Sequence, residues 1–178
     1  MKKIITAIAL LTLASSAPAA EQPKKTNPDI LMQSIASSEI QKANEYFKTW
    51  VAPEVLAESY HTRLTDTDVK SLYKKFTETI VTPPNPDNMQ EYSIENGTEK
   101  LDKVDKLGRT VNSLLMSLPM EDLEKYGYLL QSMRDVLYLD AQHIPLAIRH
   151  DRSRDFYWFA LHVKWTGEAA VLYEEMLG

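Results

Sequence analysis

Two short spacings in this chain could set a carboxylate beside an imidazole. Glu58-Ser59-Tyr60-His61 and Asp140-Ala141-Gln142-His143 each place an acid three residues before a histidine. Residues three apart share one face of a helix. Two such pairs, brought together, would offer a transition metal a mixed carboxylate and imidazole shell, as Glu-x-x-His pairs do in carboxylate-bridged bundles. Glu58, His61, Asp140 and His143 are therefore the alternative metal ligands. The simpler account is a surface ion pair. With 25 acids and four histidines in the chain, such spacings arise readily by chance, and one pair carries Asp in place of Glu. The main expectation is no metal and no cofactor.

A second group is the run Arg149-His150-Asp151-Arg152-Ser153-Arg154-Asp155, which holds three of the chain's six arginines. Guanidinium forks bind carboxylate or phosphate through paired hydrogen bonds. The run precedes a strongly apolar segment that reads as a helix, whose first N–H groups and dipole favour an anion. Arg149, His150, Arg152 and Arg154 are thus the expected binding residues for an acidic partner. Asp151 and Asp155 neutralise part of the run, so a solvated, salt-bridged loop is the competing account. Trp158, His162 and Trp165 fall along one helix face and could frame an aromatic pocket, but such a histidine is more often an inert core group. Pro83, Pro84 and Pro86 lie in a loop whose prolines reduce the entropy lost on ordering, which suits recognition. They complete the expected binding residues.

The elements that must position these groups read as helices throughout. Asp29 can cap a helix from about 29 to 51, carrying Ile30, Leu31, Ile35, Ile40, Ala43, Phe47 and Trp50 at helical spacing. Pro53 suits the first turn of a short helix ending near Arg63. Thr65-Asp66-Thr67-Asp68 is a capping signal for a helix with Val69, Leu72, Tyr73, Phe76 and Ile80. The stretch Thr82 to Asn88 cannot be helical. Leu101, Val104, Leu107, Val111, Leu114, Leu115 and Leu118 form the clearest amphipathic stripe. A further helix follows Pro119, and His143-Ile144-Pro145 is expected to end it. Ser153 is the expected cap of the last helix, about 154 to 177. That helix is aromatic and apolar on most sides, so it is expected to sit centrally. No segment alternates like a strand, and the chain has only five glycines. The fold class is all-α, an irregular bundle of five or six helices with a buried, aromatic-rich C-terminal helix.

The first residues give an address. Lys2-Lys3, the apolar run Ile4 to Leu13 and Ala17-Pro18-Ala19 fit a secretory signal peptide over residues 1–19. A flexible lead-in over 20–28 and a single helical domain over 29–178 then follow. With Lys2 and Lys3 removed, 20 bases against 25 acids become 18 against 25, a net charge of about −7. Such a protein is a poor ligand for nucleic acids and anionic membranes. The chain has no cysteine, which excludes disulfides, thiolate sites and a lipidated-cysteine anchor. No later stretch approaches a membrane span. A soluble, periplasmic protein is expected, its oligomeric state open.

The chain has no Gly-x-Ser-x-Gly elbow, phosphate-binding glycine loop or His-Glu-x-x-His. The expected function is therefore non-catalytic: binding another protein of the bacterial envelope as a chaperone, adaptor or toxin-immunity protein. A metal-binding bundle and a hydrolase of envelope polymers are the alternatives. In outline the chain resembles small exported helical proteins such as periplasmic chaperones, envelope-stress proteins and immunity proteins. That resemblance is one of profile and assigns no residue.

Overall fold

The computed structural model describes residues 28–50, 63–81 and 92–178. Among them are five helices and no strand: α1 (Pro28–Phe47), α2 (Asp66–Thr79), α3 (Ile94–Ser117), α4 (Met120–Ile148) and α5 (Asp155–Leu177). The expected signal peptide, most of the lead-in, the short helix after Pro53 and the Pro-rich loop lie outside the described residues. No described helix is long and apolar enough to cross a membrane.

The helix starts follow local chemistry. Thr65 caps α2 as expected: its hydroxyl accepts from Asp68 N at 3.2 Å while Asp68 accepts from Thr65 N at 2.9 Å. Ser93 caps α3 by accepting from Asn96 N at 3.2 Å, so α3 begins a full turn or more before its apolar stripe. Leu118-Pro119 turns the chain sharply into α4, which makes α3 and α4 antiparallel neighbours. At their far end Gly97 meets Ile148, and a Cβ there would collide with that side chain.

The centre of the bundle is α4, not the C-terminal helix. α4 packs on each of the other four helices and buries Tyr126, Leu129, Leu130, Met133, Val136, Leu137 and Ile144 among others. α5 buries one face through Trp158, Leu161, His162, Trp165 and Ala169. Its other side leaves Phe156 at 68 %, Val163 at 51 % and Val171 at 57 % exposed. Apolar composition overstated its burial: among the described helices, α1 and α3 pack on α4 instead. α4 also runs through Pro145 to Ile148 rather than ending there. Proline removes one i→i−4 bond, and the packing of Ile148 against Gly97 holds the last turn in place.

α1 and α2 lie against opposite sides of α4. On one side, the Arg134 guanidinium sits 3.8 Å from the Phe47 ring centroid, and Tyr138 meets the Tyr46 and Phe47 rings edge-on. Asn112 of α3 donates to the carbonyls of Phe47 at 3.2 Å and Trp50 at 2.8 Å, satisfying the open end of α1. The Trp50 ring lies directly against Gly108, where a Cβ would collide with it. On the other side, two buried carboxylates of α4 clasp α2. Asp122 accepts from Leu64 N at 2.9 Å and Asp140 from Val81 N at 2.8 Å. These acids are about five turns apart on one face of α4, a span close to the length of α2. α2 therefore runs parallel to α4. Tyr73 stacks on Tyr173 at 4.0 Å and ties α2 to α5.

Candidate functional site

The polar residues singled out by spacing fall into a buried cluster and a surface corner. Asp140 and His143 belong to the buried cluster, between α4 and α5. They do not share a ligand position. Asp140, 0 % exposed, faces His162, whose Nε2 lies 3.1 Å from Oδ1. That approach is off the hydrogen-bonding axis, so it is an electrostatic contact rather than an aligned bond. The other carboxylate oxygen holds Val81 N. His143 instead stacks on Trp158, with centroids 3.9 Å apart and planes 17° from parallel. Its Nδ1 stands 4.0 Å from Asp155. Burial holds the His143 pKa below its ordinary value, against the opposing pull of Asp155 and Asp140. Among the described residues, no three His, Asp or Glu side chains gather as metal ligands. Glu58 and His61 lie outside them.

Trp158, His162 and Trp165 are all buried. They form core rather than an open aromatic pocket. His162 Nδ1 lies 3.3 Å from Thr166 Oγ1, so hydroxyl, imidazole and carboxylate follow one another through Thr166, His162 and Asp140. That membership matches a hydrolytic triad, but His162 is 1 % exposed and Thr166 lines neither cavity described below. A nucleophile needs a substrate position beside it, and neither of these two cavities supplies one at Thr166.

The arginine run divides. Arg152 Nε pairs with Asp155 at 2.7 Å, and Arg154 pairs with the buried Glu39 of α1 at 2.8 Å. The positive end of α5 is answered by its own Asp155. Ser153 is not the cap. Its N–H donates to Asp151 at 3.0 Å, and Arg154 occupies the cap position without a side-chain hydrogen bond. His150, exposed, takes a left-handed φ of 56° as the chain leaves α4. Arg149 is exposed and has no ion pair among the described residues. Its charge helps hold Asp151 below the usual carboxylate range, a shift caused mainly by the Ser153 hydrogen bonds. Pro83, Pro84 and Pro86 lie outside the described residues.

Two cavities adjoin this corner. The smaller, about 20 Å³, has room for one water and lies against His143, Trp158, Glu39 and Arg154. The Nδ1 of His143 and Nε1 of Trp158 have no hydrogen-bond partner among the described residues. The larger is a groove of about 570 Å³, in the range of ligand pockets. Asp102, Asp105 and Arg109 of α3 form one wall, Gln142 and Pro145 of α4 with Arg149 at its C-terminal cap the other, and Tyr46 and Arg154 lie at its edges. Asp105 accepts from Trp50 Nε1 at 2.6 Å and from Arg109 Nε at 2.9 Å. Burial, and then Asp105, raises the Tyr46 pKa.

Sequence reasoning found Arg149 and Arg154 but missed the opposite wall. The i,i+4 pair Asp105–Arg109 was visible as a helical ion-pair spacing, but nothing local places it opposite Arg149. Asp122, Asn112 and Arg134 were also missed, because burial of a polar side chain depends on distant partners. No protein-family model, curated protein or solved structure matches the chain.

Proposed function

We propose that this chain is an exported, periplasmic, non-catalytic helical protein that acts by binding another protein of the bacterial envelope. The carrying observation is the groove between α3 and α4, with the exposed Arg149 at its rim and Arg154 at its edge. A buried arginine network would be structural. A cation without an ion pair beside an open groove is available to a partner. The groups that could do chemistry support the same reading, since His143, His162 and Asp140 are buried and held by the core. The amino-terminal pattern of Lys2-Lys3, an apolar run and Ala17-Pro18-Ala19 supports export.

Affinity capture from envelope extract tests the binding claim, using the protein and its Arg149→Glu variant in parallel. A protein retained by the former and lost by the latter is the expected result. The same set retained by both would overturn it. Fractionation tests the address: release of the chain with other periplasmic contents is expected, and retention in the cytoplasm would contradict it.

A further inference from the structure

Building on the protein-binding reading, we propose that the α3–α4 groove seats an extended peptide segment of the partner, one carrying both an acidic and a basic residue. The groove's charges fall into two classes. Asp105, Arg109 and Arg154 are committed: Asp105 to Trp50 and Arg109, Arg109 also to the Thr49 carbonyl at 3.3 Å, and Arg154 to Glu39. They build the walls. Arg149 and Asp102 are exposed, line the groove and form no ion pair among the described residues. The groove therefore offers one available charge of each sign, which complements an occupant with both.

The register sets a spacing. Gly97 packs against Ile148, so Arg149 stands near the level of residue 96 on the antiparallel α3. Asp102 is then about six residues farther along, roughly 9 Å at the helical rise. An extended chain advances roughly 3.3 Å per residue. An acid for Arg149 and a base for Asp102 therefore fit when two or three positions apart.

The groove also offers hydrogen bonds to a backbone. Pro145 has no N–H, so the Ala141 carbonyl lacks its i+4 donor, and both residues line the groove. Gln142 lies between them with no side-chain hydrogen bond among the described residues, and its amide both donates and accepts. Small ligands need most of their surface enclosed. The two available charges sit well apart on the groove's lining, so a peptide that spans both is held at several points, which a small ligand is not.

The test uses fluorescently labelled synthetic peptides of equal length, titrated by anisotropy against the full chain. Four kinds are compared: acid and base two or three positions apart, two acids, two bases, and uncharged. The mixed-charge peptide is expected to bind saturably and best. Arg149→Glu and Asp102→Lys should each weaken it by about tenfold or more, with circular dichroism and melting unchanged because both side chains are exposed. The double variant should recover affinity for a peptide with acid and base exchanged. The proposal is overturned if no peptide saturates, if neither variant alters affinity, or if a free dipeptide competes as well as the peptide. Loss of peptide binding with Arg149-dependent capture intact would remove the peptide claim alone; failure of both would remove the protein-binding reading too.

Discussion

α4 carries polar groups into two opposite environments within about three turns. Asp140 and His143 are 0 % and 3 % exposed, packed against α5 and fixed by Val81 N, His162 and Trp158. Arg149, at the end of the same helix, stands in solvent beside the groove with no ion pair among the described residues. The residue types are the ones that bind and catalyse in either place. Burial decides the difference. A buried carboxylate must be paired to exist at all, so its partners are already chosen by the fold. A solvated guanidinium loses little by waiting for one. The buried region should therefore govern stability, and the groove should govern association.

The largest expected effect is at Asp140. Asp140→Ala strands two buried groups, Val81 N and the His162 ring nitrogen that faces it, and urea denaturation should register a loss of about 2–5 kcal/mol. Asp122→Ala provides the sharper comparison. It also strands a backbone donor, Leu64 N, but its other neighbour is the solvent-exposed Arg63, which pairs with Glu121 at 2.6 Å. A smaller loss, about 1–3 kcal/mol, is expected there. Equal losses would mean that the histidine side of the cluster contributes nothing.

Gly108→Ala should cost about 1–3 kcal/mol, because the methyl group meets the Trp50 ring and α1 must move. A melting temperature within error of the parent would show that Trp50 repacks freely.

Acid separates the regions by another route. Burial lowers the folded-state pKa of His143 from the ordinary imidazole value of about 6.5, so the unfolded chain binds the proton more readily. His143 thus contributes stability above that value, lost as pH falls below it. Asp135 acts in the opposite sense. Burial raises it to about 6 from 3.8, so its contribution is present below its unfolded pKa and lost as pH rises through about 6. In an Asp135→Asn background, stability should fall between about pH 7 and about pH 5, and His143→Phe, which retains a ring on Trp158, should flatten that fall. Parallel profiles would remove His143 from the account.

The smallest effect on stability is expected in the groove. Arg149→Glu should change it by no more than about 0.5 kcal/mol, as measured by denaturation. A larger loss would make Arg149 a structural residue.

Much of this architecture was legible from the chain alone. The helical spacing of Val69, Leu72 and Phe76, and of Val104, Val111 and Leu114, marks the faces that are buried, and the Thr65–Asp68 box marks a helix start. Those signals are local. The centre of the bundle was not legible, because apolar residues around all of α5 signal the ability to be buried, not the presence of a neighbour. Phe156 and Val163 remain exposed although they resemble core residues. Pro145 misled in the same way: proline weakens a helix locally, while the packing of Ile148 against Gly97 is a contact across the chain. For the candidate site, Arg149 and Arg154 were visible by composition. Asp102, Asp105 and Gln142 were not, since only the antiparallel pairing of α3 and α4 makes them one surface.

The most direct test of the groove's role is the affinity of a mixed-charge peptide for the parent protein and for Arg149→Glu, measured side by side with their melting temperatures. Saturable binding to the parent, weakened about tenfold or more in the variant at an unchanged melting temperature, is the predicted result. Equal affinity in both, or no saturable binding to either, would contradict it.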